Sequence, residues 1–230
     1  MTIVPIALAA ALATPAPAVE PSTPPPEPNH ITVAGEAGYV ATLGCNFCKN
    51  WSGFTAQALG QYEFQVSPHL RLSDTLHWDR FSSSYRYAYG RRTYTAGFDY
   101  DEYDDQLDVE IGRPQLPTGI GIGYFDAQPV YQTRLLYHLS GLGFGVDHWA
   151  DWGARASPYV SAWYYPHLTG SSTQAYAIFR GDLGLNVRES LASPWGVRVG
   201  VQYEHWNGQS AAMGNYLNFF VPYVSITWWQ

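Results

Sequence analysis

Carboxylates are concentrated in one short segment of the chain. Residues 99–110 (DYDEYDDQLDVE) hold seven of the 19 acidic residues. Clusters of hard oxygen ligands bind Ca²⁺, although this run lacks the glycine of an EF-hand loop. A solvated turn between two strands is the commoner role of such a charge run, and we expect it here. The weaker calcium alternative would use Asp101, Glu102, Asp104 and Asp105.

The 2 cysteines of the sequence lie close together as Cys45-x-x-Cys48. No histidine follows them as in a haem-attachment motif, and no alternation of strands and helices surrounds them as in a thioredoxin-type site. We expect Cys45 and Cys48 to form a disulfide that tightens a loop. Two cysteines also exclude a four-cysteine zinc site.

No arrangement typical of a catalytic centre is visible. The sequence contains no G-x-S-x-G motif, and its 7 histidines form no His-x-x-x-His pair. An enzyme stays open as a minor alternative, because catalytic residues that come from separate strands leave little trace in a sequence. No cofactor is predicted.

The composition of the chain narrows its class. Only 13% of the 230 residues are charged, 16% are aromatic, and the formal net charge is −7. An average soluble domain has about a quarter of its residues charged. The negative charge argues against a protein that binds nucleic acid through a basic surface. No apolar run beyond the N-terminus is long enough for a membrane helix.

The N-terminus has the pattern of an exported protein. Residues 4–13 (VPIALAAALA) form a short apolar run, and residues 16–18 (APA) fit a cleavage site, so we predict a signal peptide over residues 1–18. Prolines crowd residues 15–28, which predicts an extended leader over residues 19–30. Residues 31–230 then form one folded domain.

The apolar residues of this domain recur with a period of two. In residues 54–66 (FTAQALGQYEFQV) the even positions are apolar or small, and the odd positions carry most of the polar side chains. Residues 106–111, 180–188 and 195–204 repeat the alternation. This period predicts β-strands with one apolar and one polar face.

The predicted strands are too long for a soluble β-sandwich, whose strands typically have about five or six residues. A tilted strand that crosses a membrane needs about 9–11 residues. Tyrosine and tryptophan lie toward strand ends, as interfacial girdles require. In these features residues 31–229 resemble bacterial outer-membrane β-barrel proteins as a class. The resemblance implies an all-β, transmembrane, antiparallel up-and-down β-barrel.

We expect about twelve strands, or ten if two of the strands in the glycine-rich region between residues 112 and 155 merge or fail to form. Residues 81–92 and 207–215 are predicted outer loops. The twelve predicted strands are 31–43, 53–66, 69–80, 93–101, 106–113, 118–126, 130–138, 141–149, 155–165, 174–188, 195–206 and 216–229.

The resemblance also implies a location and partners. These are the bacterial outer membrane, contact with its lipid, and recognition of the C-terminal strand by the barrel-assembly machinery. In that strand Leu217, Phe219, Val221, Tyr223 and Trp229 share one face.

Charged residues on the polar strand faces would line the barrel interior. Arginines opposite acids favour small polar or anionic solutes, so we predict a narrow passive, porin-like channel. The alternatives are a non-conducting barrel, structural or binding a surface partner through residues 81–92, and a lipid-modifying enzyme. The predicted pore-lining residues are Arg71, His77, Asp79, Asp99, Asp108, Glu110, Arg134, Arg180, Asp182, Arg188, Arg198 and Glu204.

Overall fold

The computed structural model describes residues 29–44, 52–67, 70–113, 116–131, 134–135, 138–148, 154–170, 176–210 and 214–230. The predicted signal peptide and all but the last two residues of the predicted leader lie outside this part of the chain, as do Cys45 and Cys48.

Eleven β-strands make up the regular structure of the described residues. None of these residues belongs to a helix long and apolar enough to span a membrane. The strands are β1 (Asn29–Gly44), β2 (Ser52–Ser67), β3 (Leu70–Tyr89), β4 (Arg92–Arg113), β5 (Leu116–Tyr131), β6 (Arg134–Leu135), β7 (Leu139–His148), β8 (Ala156–Gly170), β9 (Tyr176–Arg188), β10 (Trp195–Ser210) and β11 (Gly214–Trp229).

Ten of these strands close into a barrel. Each pairs antiparallel with its neighbours in the chain, except that β5 pairs with β7 past the two-residue β6, and β11 returns to pair with β1. Ile31 and Gln230 bond through their main chains at 2.8 Å and 3.0 Å, so both ends of the barrel domain lie at one end of the barrel, the terminal end. Closure leaves these strands no unpaired edge.

The strands are tilted relative to the barrel axis. When the directly paired residues are followed once around the barrel, the register on β1 has shifted by about twelve residues. For ten strands this shift corresponds to a tilt of about 40°. This tilt brings aromatic pairs of neighbouring strands to a common level in the half remote from the termini. Tyr39 contacts Phe54 with ring centroids 5.9 Å apart, and Phe144 contacts Tyr164 at the same distance.

The outer face of the barrel is apolar and the inner face carries the polar side chains. Leu183, Ile122 and Ile226 point outward and expose 61%, 63% and 61% of their surface. Gln61 and Glu63, on the inner face of β2, are buried. A soluble protein buries its apolar face, and a membrane barrel shows the reverse. The barrel architecture implied by the outer-membrane resemblance is therefore confirmed.

The predicted count of twelve strands is wrong, and the alternative of ten is the one observed among the described residues. The predicted strands 93–101 and 106–113 form the single strand β4, which runs through the acidic segment. The predicted strands 118–126 and 130–138 become β5 and the short β6. The solvated turn predicted at 99–110 is wrong because the carboxylates alternate between the two faces of a continuous strand.

The glycine-rich segments that obscured the alternation have a packing role. Gly123 of β5 and Gly143 and Gly145 of β7 lie under large aromatic side chains of β8 inside the barrel. A Cβ atom at Gly123 would come within 3.1 Å of the Trp163 ring, and one at Gly145 within 2.6 Å. Glycine at these positions gives the indole the space it occupies.

The apolar outer face predicts a strong penalty for a charge placed on it. Val199 lies outward on β10 with 43% of its surface exposed. Replacing Val199 with arginine should lower the free energy of unfolding in phosphatidylcholine vesicles by about 2–4 kcal/mol, since the guanidinium would meet hydrocarbon. Urea titration of the refolded protein measures the loss.

The control is Thr93→Arg, which adds the same charge at an exposed position of β4 near its hairpin turn. It should leave the urea midpoint close to that of the wild type. Equal losses for the two variants would contradict the assignment of the outer face to lipid.

Candidate functional site

Most of the charged residues assigned to the interior lie on the inner face of the barrel. His77, Asp182 and Arg188 are half-buried there. The side chain of Arg134 lies outside the described residues. The fully buried members of the predicted set are Arg71, Asp79, Asp108, Glu110, Arg180, Arg198 and Glu204.

Asp99 is an exception. It shares the outward face of β4 with Tyr103 and accepts a hydrogen bond of 2.6 Å from the exposed Ser82 hydroxyl. The prediction that Asp99 points inward is wrong, because a turn was expected within the acidic segment, and a continuous strand keeps one register throughout.

Arg180 forms the centre of the interior. Its guanidinium reaches Asp79 at 2.5 Å and Glu102 at 2.7 Å, and it lies 3.5 Å from Asp104 and 3.8 Å from Glu204. These partners come from β3, β4 and β10, so one side chain of β9 ties four strands together across the lumen. Only 5% of the Arg180 surface is exposed. Hydrogen bonds between charged groups are among the strongest in proteins, and the ion pairs of Arg180 are buried away from water.

A second network lies nearer the terminal end. Arg198 donates from Nε to Asn186 Oδ1 at 3.1 Å, lies 3.6 Å from Glu36, and stacks over the Tyr159 ring at 4.5 Å. Tyr223 donates to both carboxylate oxygens of Asp182, at 2.9 Å and 2.8 Å. In both networks the arginine has several partners, and these hold its side chain in one position.

The carboxylates around Arg180 are arranged as in a metal site, but a guanidinium occupies the position that a metal ion would take. Oxygens of Asp79, Glu102 and Glu204 lie within 4.8 Å of one another. The Arg180 guanidinium contacts all three carboxylates, and therefore already supplies the positive charge that a metal ion would bring.

The four predicted calcium ligands do not meet at one point. Glu102 and Asp104 are fully buried on the inner face of β4, whereas Asp101 and Asp105 lie on its outer face. Consecutive residues of a strand point to opposite sides of the sheet. The arrangement of this described segment therefore does not support the calcium alternative.

Apolar side chains fill the half of the lumen remote from the termini; we call this cluster the plug. Phe81 and Phe219 pack with ring centroids 5.1 Å apart, and Trp206 contacts Phe219 at 5.9 Å and Phe125 at 6.2 Å. The plug consists of Phe81, Phe125, Ala127, Leu139, Trp163, Tyr165, Leu168, Ile178, Trp206, Phe219 and Val221.

The plug and the Arg180 network form two adjoining layers. Tyr165 belongs to the plug and donates a hydrogen bond through its hydroxyl to Asp104, next to Arg180. Phe125 has no exposed surface and Glu102 has none. Side chains therefore pack against one another across the lumen at these levels. The assignment of the inward residues as the lining of a pore stays a prediction.

Sequence reasoning missed several interior residues. The aromatic pattern predicts Trp163 and Tyr165 at a strand end near the membrane surface, and it does not single out Tyr159, Asp147 or Glu36. The period of two along β1, β7 and β8 would have placed them inward. What the period does not supply is the partner, because Arg180 and Asp79 are 101 residues apart in the chain.

The hairpin of β3 and β4 extends beyond the described parts of the strands on either side of it. The pairing of β3 with β2 ends at Ser84, and the pairing of β4 with β5 ends at Phe98, whereas β3 and β4 pair with each other up to Tyr89 and Arg92. Residues 85–97 thus form a two-stranded extension, which we call the β3–β4 extension. It corresponds to the predicted outer loop at 81–92, which is strand rather than loop.

The tip of the β3–β4 extension is aromatic and basic. Gly90 turns the chain with a φ of 64°, a conformation that glycine adopts without steric cost. Tyr89 exposes 78% of its surface, and Arg91 and Arg92 next to it are exposed. Several hydrogen-bond donors and a flat apolar ring are therefore presented at the end opposite the termini.

Comparison with solved structures finds other β-barrels of low similarity. The translocator domain of the autotransporter NalP from Neisseria meningitidis is 8% identical, with 87% of each chain covered and a TM-score of 0.42. Ail, the attachment invasion locus protein of Yersinia pestis, is 10% identical, with 88% of this chain and 99% of that chain covered and a TM-score of 0.32. OprG from Pseudomonas aeruginosa is 10% identical, with 87% and 93% covered and a TM-score of 0.29.

No family model matches the chain, and no curated protein matches it. The roles of individual residues are accordingly taken from the geometry of this barrel alone.

The Arg180 network predicts a large difference between two arginines. Arg180→Met should lower the free energy of unfolding by about 3–5 kcal/mol, because it leaves buried carboxylates without their cation. Arg80→Gln removes an exposed ion pair of 4.0 Å with Asp101 and should cost no more than about 1 kcal/mol. Urea midpoints in lipid vesicles measure both variants, and similar losses would contradict the central position of Arg180.

Proposed function

We propose that this chain is a non-conducting outer-membrane β-barrel that presents the β3–β4 extension at the cell surface to bind a polyanionic saccharide. The observation that carries the proposal is the filled lumen below a basic and aromatic tip. The barrel serves as the anchor, and the binding chemistry resides in the extension. No reaction and no cofactor form part of this function.

The filled lumen supports the non-conducting part of the proposal. A passive pore for polar solutes requires a continuous wet path, and apolar constrictions block conduction by excluding water. The plug is such a constriction, since Phe125, Leu139 and Ile178 have no exposed surface. Below the plug the Arg180 side chain is held across the lumen by ion pairs with carboxylates of β3, β4 and β10.

The exposed tip supports the binding part. Tyrosine and arginine are enriched among residues that dominate binding energy. The arginine guanidinium forms paired hydrogen bonds with carboxylate, phosphate or sulfate groups, and tyrosine rings offer a flat face to a sugar. The whole chain has a net charge of −7, so Arg91 and Arg92 at the tip reverse the local sign. A ligand with repeated negative charges fits this surface.

A second candidate is the narrow channel predicted from the sequence. One observation favours it: the inner face toward the terminal end is polar, with Gln61, Thr75 and Asp108 among its residues. A channel would additionally require the plug to move aside. Conductance measurement separates the two candidates.

The plug predicts that the wild-type barrel does not conduct ions and that a barrel without the plug does. Wild-type protein reconstituted in planar bilayers should give no discrete conductance steps. Trp163→Ala combined with Trp206→Ala should give steps, because the glycines beneath Trp163 carry no side chain that could fill the space. The matched control is Trp195→Ala on the outer face, which should stay silent.

Steady wild-type steps as large as those of the double variant would overturn the non-conducting proposal and favour the channel. If the double variant does not fold, the wild-type recording alone still distinguishes the two, since only the channel predicts steps.

The tip predicts charge-dependent binding. Arg91→Glu combined with Arg92→Glu should weaken binding of the detergent-solubilised protein to dextran sulfate at least tenfold, and added salt should weaken wild-type binding in the same direction. Surface plasmon resonance with neutral dextran as reference measures it. Arg155→Glu, at the opposite end of the barrel, is the charge control.

Parallel titration with lipopolysaccharide tests whether the saccharide is one of the cell's own membrane or an external one. Undiminished binding of dextran sulfate and lipopolysaccharide by the double variant would overturn the role of the tip.

A further inference from the structure

An apolar groove crosses β4, β5 and β7 on the outer face of the barrel. It encloses about 300 Å³, which is at the lower end of the range for ligand pockets. We call it the lateral groove. Its apolar lining consists of the outward side chains of Leu107, Ile122, Tyr124 and Leu142. A space of this size on the wall of a membrane barrel fits one acyl chain, whereas a protein interface needs about 1,000 Å² or more.

One end of the lateral groove is polar. Asp74 of β3 and Asp105 of β4 line it there, and both point outward and are exposed. Asp74 pairs with Leu107, and Asp105 pairs with Leu76. The two carboxyl groups thus lie diagonally across the ladder, within hydrogen-bonding reach of each other. Since Leu76 and Leu107 are exposed as well, this carboxylate pair is set into an apolar wall.

Both carboxylates lie at the depth of the hydrocarbon. Asp74 is four residues from Leu70 at the terminal end of β3, and Asp105 is eight residues from Arg113 at the terminal end of β4. With a rise of about 3.3 Å per residue and a tilt of about 40°, these separations are about 10 Å and about 20 Å along the barrel axis. The apolar band of such barrels is about 25 Å tall. A carboxylate at this depth is costly unless a partner compensates it.

The described part of the chain supplies no cation to this pair. None of the ion pairs among the described residues involves Asp74 or Asp105. Arg80, an outward arginine of β3, lies 4.0 Å from Asp101. A second copy that docked through the same wall would bring its own carboxylates to the same depth, and like charges would face each other. A cation from another component of the membrane would complement the pair.

We propose that the lateral groove binds a lipid with a primary ammonium headgroup. The ammonium group donates hydrogen bonds to Asp74 and Asp105, and one acyl chain lies along the apolar lining. A primary ammonium has three N–H donors and can serve both carboxylates, whereas a quaternary ammonium has none. Asp74 lies nearer the terminal end than Asp105, so the headgroup enters from the membrane surface at that end. This site is independent of the function proposed for the tip.

Native mass spectrometry of the full chain refolded in detergent tests the groove. Phosphatidylethanolamine, phosphatidylcholine and phosphatidylglycerol with the same acyl chains are titrated separately. The wild type should bind one phosphatidylethanolamine at least tenfold more tightly than either other lipid, since only that headgroup brings a primary ammonium. Asp74→Asn combined with Asp105→Asn should abolish the preference. This double variant should fold at least as well as the wild type, because it has fewer carboxylates facing hydrocarbon.

The matched control is Asp99→Asn, which changes another outward carboxylate of β4, one that accepts a hydrogen bond from Ser82. It should keep the preference for phosphatidylethanolamine. Leu142→Trp leaves both carboxylates in place and fills the groove, so it should weaken binding of the same lipid. Equal binding of the three lipids by the wild type, a dimer in place of the lipid adduct, or an undiminished preference in the double variant would overturn the proposal. Undiminished binding by Leu142→Trp would equally contradict the groove.

Discussion

The interior of this barrel depends on one constraint. The polar side chains of a closed sheet in lipid must find their hydrogen-bond and ion-pair partners inside the lumen. The outer face gives them no partner, because Leu183, Ile122 and Ile226 face the hydrocarbon side. Arg180 meets the requirement at the centre. It gathers carboxylates from β3, β4 and β10 around one guanidinium, and thereby fixes the distances between strands that are not neighbours in the sheet.

The same closure demands that the lumen be filled. Side chains of uniform size would leave gaps in the space that ten strands enclose. The chain instead places large and small residues opposite one another. Trp163 and Tyr165 of β8 lie over glycines of β5 and β7, and the phenyl rings of β3 and β11 meet across the barrel. The result is a barrel with an apolar half, a charged middle layer and a polar terminal end.

The sequence predicted the parts of this structure that are local. The period of two in residues 54–66 placed each side chain of β2 on its correct face. The glycine runs of β5 and β7 and the acidic run of β4 misled the strand count, because each departs from the apolar alternation for a reason that lies on another strand. Glu102 is acidic because Arg180 faces it, 78 residues later in the chain. Pairings over such distances leave no local pattern, so the plug and the Arg180 network emerged only with the closed barrel.

The central claim is that the plug closes the lumen, and the reactivity of a single thiol tests it most directly. Ala127 lies within the plug and has no exposed surface, whereas Ser84 lies at the base of the β3–β4 extension and is exposed. Each position is changed to cysteine in a chain whose Cys45 and Cys48 are replaced by serine, and a small charged methanethiosulfonate reagent is added to the protein in vesicles. A closed lumen predicts rapid labelling of the Ser84→Cys protein and labelling of the Ala127→Cys protein only after unfolding. Equal labelling rates in the folded barrels would show a wet passage through the plug and contradict the account.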